Sequence, residues 1–277
     1  MSTRTSAHRT VQDQGEKVAH SRGFDWLARS GFVARGVIYG IIGVLAVQLA
    51  LGDGDGKATN QQGALRTIAH QPFGRTLLTI VAIGLAGYAL WRLIRAAIGH
   101  GPEASDSGVD RVAGVASGVA YAILCVTAIK ILSGAPTSNA GQPQQPAAGV
   151  LDWPAGPWLV GAAGAILVGV AIYQGYEGLS QSFLDDSKTE RMSRGGLRVF
   201  TTVGGVGHVA RMVVFGLVGY FLIKAAVEYS PSQAVGLDGA LARLQYQSYG
   251  PILLGVVAAG LVAFALYSIA DARYRRL

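Results

Sequence analysis

A few ionisable or amide side chains interrupt stretches that are otherwise apolar, and their spacing limits the chemistry open to this chain. Arg35 and Arg211 stand 176 residues apart inside one recurring motif, Gly31-Phe32-Val33-Ala34-Arg35-Gly36-Val37-Ile38-Tyr39-Gly40 and Gly207-His208-Val209-Ala210-Arg211-Met212-Val213-Val214-Phe215-Gly216. Glu177 and Asp271 occupy equivalent positions in other apolar segments, and Gln48, Lys130 and Lys224 share a third. Charged groups in a hydrocarbon layer are costly, so each is a candidate for function. An arginine near the end of a span can snorkel to head groups, pair with a carboxylate such as Glu177 or Asp271, or contact a ligand or a lipid. The repetition favours a helix-end clamp or snorkel. A ring of Gln48, Lys130 and Lys224 has the chemistry of an anion-selective pore mouth, although snorkelling to the outer interface explains the same residues. Thirteen positions separate Arg35 from Gln48. At about 100° per residue they point about 140° apart, so the two polar layers cannot both line one straight axis.

Other chemistry is missing. No Asp or Glu lies near the middle of an apolar segment, which weakens a proton- or sodium-coupled carrier more than a channel, scaffold or lipid-binding protein. Gly52-Asp53-Gly54-Asp55-Gly56-Lys57 lacks the residues that complete a phosphate loop or a calcium loop, and it reads as a solvated turn. Gly205-Val206-Gly207 with Ala210 follows no strand. Five scattered His and one Cys give no metal spacing, and Cys125 reads as a small apolar side chain. His208 replaces Phe32 in the repeat and reads as an interfacial polar residue. No catalytic set, cofactor or metal is expected, and the protein is read as not an enzyme.

These residues must be positioned by membrane-spanning helices. Only 14% of the 277 residues are charged, while 51% are hydrophobic and 39 are Gly; lipid in place of water, with closely packed helices, favours that balance. Six segments exceed the roughly 20 residues that cross a bilayer core of about 30 Å: Gly31–Leu51, Gly74–Ile98, Arg111–Ser133, Gly156–Leu179, Gly205–Val227 and Gly250–Ala270. Gly36, Gly40, Gly43, Gly216 and Gly219 would allow close helix approach.

The opening motif recurs with seven of thirteen positions identical, and a weaker copy, Ala113 to Cys125, lies at a shift of 82 with Ser117 in place of Arg35. The second helices align at the same shifts, with Trp91, Tyr173 and Tyr267 equivalent and with Pro157 and Pro251 in their first turns. Gly63-Ala64-Leu65 and Gly239-Ala240-Leu241 mark short amphipathic helices expected at the interface, whereas Gly141-Gln142-Pro143-Gln144-Gln145-Pro146 reads as an extended link. The expected architecture is all-α: three parallel hairpins, most simply a pseudo-threefold bundle. The organisation is a flexible tail over 1–25, repeats over 26–100 and 110–180, a linker over 181–203, and a third repeat with a basic end over 204–277.

Lys and Arg set the orientation. Fifteen of the 23 fall in the tail, the second and fourth loops and the C-terminus, against four on the other side and four within spans. The positive-inside rule therefore places both termini in the cytoplasm. It also accounts for the +7 charge without nucleic acid. The tail, with Arg4, Arg9, Lys17 and Arg22, has no apolar core and does not read as a cleaved signal peptide.

The repeat, with Arg35, Gly36, Tyr39 and Gly40 in the first unit and Gly239-Ala240-Leu241, Tyr249-Gly250-Pro251 and Tyr267 through Arg275-Arg276 in the third, resembles a bacterial membrane family called domain of unknown function 1206. The resemblance covers nearly everything from Trp26 to Arg276. It implies a six-helix protein of the bacterial plasma membrane and adds nothing about chemistry. The functional expectation is a non-enzymatic module that binds membrane lipids or a membrane-protein partner, with a homo-oligomer another option. The alternative is a pore or facilitative transporter for small solutes, with anions favoured by Lys130 and Lys224.

Overall fold

Where no water reaches the backbone, its N–H and C=O groups must be satisfied within the segment, and long apolar runs become helices. The computed structural model describes residues 22–52, 59–98, 108–135 and 149–276. The basic tail before residue 22, the Asp53–Lys57 turn and the Gly141–Pro146 link lie outside the described residues. The helices are α1 Arg22–Ala50, α2 Gln61–Ala69, α3 Gly74–Ile98, α4 Gly108–Leu132, α5 Gly156–Ser180, α6 Arg194–Val227, α7 Leu237–Gln245 and α8 Gly250–Tyr274. Six of them, α1, α3, α4, α5, α6 and α8, are long and apolar enough to cross a membrane. Among the described residues the β structure is a single bridge between Ser187 and Arg275.

Helix α6 begins inside the linker range of 181–203. Ser193 accepts a hydrogen bond from the Gly196 backbone N–H at 3.1 Å and starts α6 at Arg194. Gly195 and Gly196 conceal this start, because glycine lowers helix propensity without preventing an N-cap. The 34 residues of α6 extend about 51 Å at 1.5 Å per residue, well beyond a bilayer core of about 30 Å.

The spanning helices pack in the order α4, α3, α1, α8, α6, α5. Each second helix of a repeat packs on the first helix of the next: α3 on α4, α5 on α6, and α8 on α1. That cyclic rule is the signature of the threefold repeat. Within a repeat, α1 packs on α3 and α6 on α8, whereas α4 and α5 of the middle repeat make no comparable contact. Ala128 of α4 and Val214 of α6 belong to the same buried apolar cluster as Ile38, Leu78 and Leu254, so the row wraps around one core as an arc. The arc is open between α4 and α5.

Close approach depends on glycine at particular points. A Cβ on Gly36 would lie 2.6 Å from Ile269 Cγ1, and one on Gly43 would lie 2.6 Å from Val262 Cγ2, both on α8. Gly164 of α5 and Gly219 of α6 are reciprocal: each Cβ would meet the other's carbonyl oxygen at 2.8 Å. The short helices α2 and α7 do more than rest on a surface. Ala64, Leu65 and Leu241 are fully buried, and they join one apolar cluster with Leu78, Ala128 and Leu254 at the end away from Arg35.

Gly219→Leu should separate α5 from α6 and cost about 1–3 kcal/mol, the usual range for overpacking. Gly255→Ala, where nothing lies within 4 Å of the added Cβ, should be neutral or slightly stabilising. Thermal unfolding of the two variants in detergent checks this, and equal midpoints would contradict the packing described.

Candidate functional site

The site lies at the end of the arc that carries Arg29, Arg92 and Arg275. Helix α1 brings Arg35 to α8 because Gly36 lets the two backbones meet. Arg35 is then fully engaged. Its Nε donates to Ser268 Oγ at 2.6 Å, one terminal nitrogen donates to Tyr88 Oη at 3.1 Å, and the other lies 3.6 Å from Asp271 Oδ2. Its guanidinium carbon also lies 4.9 Å from the Phe32 ring centroid and 5.2 Å from that of Phe264, positions suited to cation–π attraction.

Asp271 is fully buried between two guanidiniums, with Arg275 at 3.5 Å and Ser187 Oγ donating at 3.3 Å. Arg275 also pairs with Asp186 at 2.6 Å. Burial opposes its charge, but Asp271 and Asp186 more than offset this and hold Arg275 above its ordinary range. The strand-like bridge here is completed by Lys188 N–H donating to Tyr274 O at 2.7 Å and Arg276 N–H donating to Asp186 O at 2.8 Å. Arg276 pairs with Glu190 at 3.2 Å; a backbone hydrogen bond and then Arg276 hold Glu190 below the usual carboxylate range. Arg29 donates to the carbonyls of Ala272 and Arg273 at 2.6 and 2.8 Å, satisfying the last turn of α8. The connection after the second repeat is thereby tied to the third repeat, which Arg29 and Arg35 join to the first.

Arg211 occupies Arg35's repeat position and meets different surroundings. Its guanidinium carbon lies 4.4 Å from the centroid of Phe264, 5.1 Å from Phe215 and 5.4 Å from Tyr39. Among the described residues its buried Nε has no hydrogen-bond partner. Glu177, the acid equivalent to Asp271, accepts instead from Tyr173 Oη at 2.9 Å and Ser182 Oγ at 3.3 Å. The structure thus joins Arg35 to Asp271, and among the described residues no ion pair joins Arg211 to Glu177.

One turn from Arg211, His208 is buried inside the protein. Its Nδ1 lies 2.6 Å from Gln174 Oε1, and among the described residues its Nε2 has no hydrogen-bond partner. The ring stacks on Phe183 at 5.2 Å and meets Phe264 and Tyr267 edge-on. Phe183 arrives on the short turn Ser182–Leu184, which also explains why an aligned apolar helix did not suggest a buried imidazole.

At the other end, Lys224 pairs with Glu228 at 3.8 Å, Gln48 is half-buried and Lys130 is exposed. Among the described residues no hydrogen bond or ion pair connects Gln48, Lys130 and Lys224. Sequence reasoning missed Gln174 and Ser268. They share one repeat position with Arg92, and each is the cross-helix partner of a polar residue on the helix opposite. The repeat carried this signal: a polar residue three positions before Glu177 and Asp271. Arg95, in turn, stands at the repeat position of those two acids.

Replacing Asp271 with Ala should strand Arg35 without its counter-charge and destabilise the protein by about 3–5 kcal/mol. Glu177→Ala, which breaks hydrogen bonds to half-buried or exposed partners, should cost well under half as much. Unfolding midpoints of both variants in the same detergent test the contrast.

The comparisons agree with this architecture. The family model described as Domain of Unknown Function (DUF1206) matches three times, at residues 30–99, 112–181 and 206–275. A protein of Bacillus subtilis (strain 168), named "Uncharacterized protein YxxB", is 34% identical over 254 residues, covering 90% of each chain. No solved structure matches. With a fold of six spanning helices and three matched units, the chain belongs to the Domain of Unknown Function (DUF1206) family.

Proposed function

We propose that this protein is a non-enzymatic module of the bacterial plasma membrane that binds an anionic lipid at Arg211. The observation that carries the reading is the divergence of the repeated arginine. Arg35 has three polar partners including a carboxylate, whereas Arg211 presents a buried, unpartnered Nε within an aromatic surround from α1, α6 and α8. An unmatched donor on a cation is expensive in apolar surroundings, and a head-group oxygen would satisfy it. The excess of Lys and Arg at this end supports placing it, with both termini, in the cytoplasm. The anionic lipid of the inner leaflet would then meet Arg211 about one turn inside the boundary.

A pore is the second reading, and two features weigh against it. The buried residues of α2 and α7 continue the apolar cluster across the opposite end, and Lys224 already has a carboxylate partner in Glu228.

Protein purified in mild detergent should carry anionic phospholipid above its share in the source membrane, detected by native mass spectrometry. Arg211→Ser, the residue that the middle repeat has at Ser117, should lose that enrichment while remaining folded. Equal enrichment in both would overturn the proposal. In liposomes the wild type should give no solute flux above empty vesicles; flux whose ion selectivity changes in Lys130→Ala/Lys224→Ala would establish the pore instead.

A further inference from the structure

The buried imidazole beside Arg211 narrows the chemistry of the bound head group. This step rests on the lipid reading above and deepens it. With the Gln174 amide oriented so that Oε1 lies 2.6 Å from the ring, that oxygen can only accept, which places the hydrogen on His208 Nδ1. In the neutral ring Nε2 is then an acceptor, and it is buried with no donor reaching it. The groups packed on the ring are Gln174 from α5, Phe183 from the linker turn, and Phe264 and Tyr267 from α8. None of them carries a negative charge that would favour an imidazolium.

His208 and Arg211 are three residues apart on α6, hence on one helix face, and both contact the Phe264 ring. That face therefore carries an unfilled donor at Arg211 Nε and an unfilled acceptor at His208 Nε2, one turn apart. We propose that the ligand is an acidic amphiphile whose head group both accepts from Arg211 and donates its own proton to His208. Two head groups have this chemistry, a carboxylic acid and a phosphate monoester. A phosphodiester head has acceptors for Arg211 but no acidic proton for His208. The lack of extensive contact between α4 and α5 among the described residues gives the acyl chains a lateral way out of the arc.

The first repeat supplies a conservative way to remove the acceptor, because Phe32 stands where His208 does. Binding would be measured by native mass spectrometry and by ligand-induced shifts in unfolding temperature. The full-length protein would be held in phosphatidylcholine nanodiscs doped separately with oleic acid, methyl oleate, phosphatidic acid or a phosphatidyl diester with a blocked, hydroxyl-free head group. Wild type should prefer oleic acid or phosphatidic acid over its proton-lacking counterpart by about tenfold, the effect of one buried hydrogen bond to a charged or strongly polar partner. The oleic acid and phosphatidic acid arms separate carboxyl from phosphate recognition.

His208→Phe should keep acid binding and lose the preference, and His208→Gln provides a second variant in case the aromatic replacement disturbs folding. Equal binding of the diester and the two acids by wild type, or an unchanged preference in both folded His208 variants, would overturn this inference while leaving anionic-lipid binding intact. Absence of all acid binding, or binding unaffected by Arg211→Ser, would overturn the parent reading as well.

Discussion

The structure depends on a carboxylate that cannot reach water. Asp271 is fully buried, and it is tolerable there only because Arg35 and Arg275 flank it and Ser187 donates to it. Those four residues come from α1, α8, the residue following α8 and the connection between the second and third repeats. One charge cluster therefore fixes how the first repeat meets the third and where the connection lies. Phe32, Tyr88 and Phe264 surround the Arg35 guanidinium, excluding solvent and strengthening the electrostatics that hold the cluster. Tyr88 Oη accepts from both Arg35 and Arg92, carrying the network into α3.

Repetition supplied three equivalent places for such a cluster, and the chain has used them differently. At α1 and α8 the trio is Arg35, Ser268 and Asp271, which satisfies itself. At α6 and α5 the corresponding positions hold Arg211, Gln174 and Glu177, with His208 taking the amide and the arginine left facing aromatic rings. At α4 and α3 the arginine is replaced by Ser117 and the acid by Arg95. Equivalent backbone positions thus became a clamp at one interface and a candidate binding face at another. The middle repeat differs in packing too, since α4 and α5 stand apart where the other two repeats close. The arc therefore has one side, between α4 and α5, that the other repeats do not have.

Much of this was legible in the residues. Near-continuous apolarity located all six spans, with boundaries that differ by a few residues except at α6. Pro157 and Pro251 mark helix starts because proline has no N–H to waste there. Gly36 and Gly43 announced a close helix contact, although only the fold shows that α8 is the partner. The start of α6 was hidden because Gly195 and Gly196 lower helix propensity, while the cap at Ser193 outweighs them.

The sequence by itself determined the spans, the threefold repeat and the sites where polar groups must enter apolar surroundings, because these are local consequences of composition, periodicity and transfer free energy. It placed Arg35 and Arg211 in the same role, since a repeat position carries only residue identity. Tertiary structure alone decided that Arg35 meets Asp271, that Arg211 meets aromatic rings, and that His208 is buried against Gln174 and Phe183. The physical reason is that desolvation and pairing depend on which helices become neighbours, and residues as distant in sequence as Arg35 and Asp271 acquire that relation only when the helices pack.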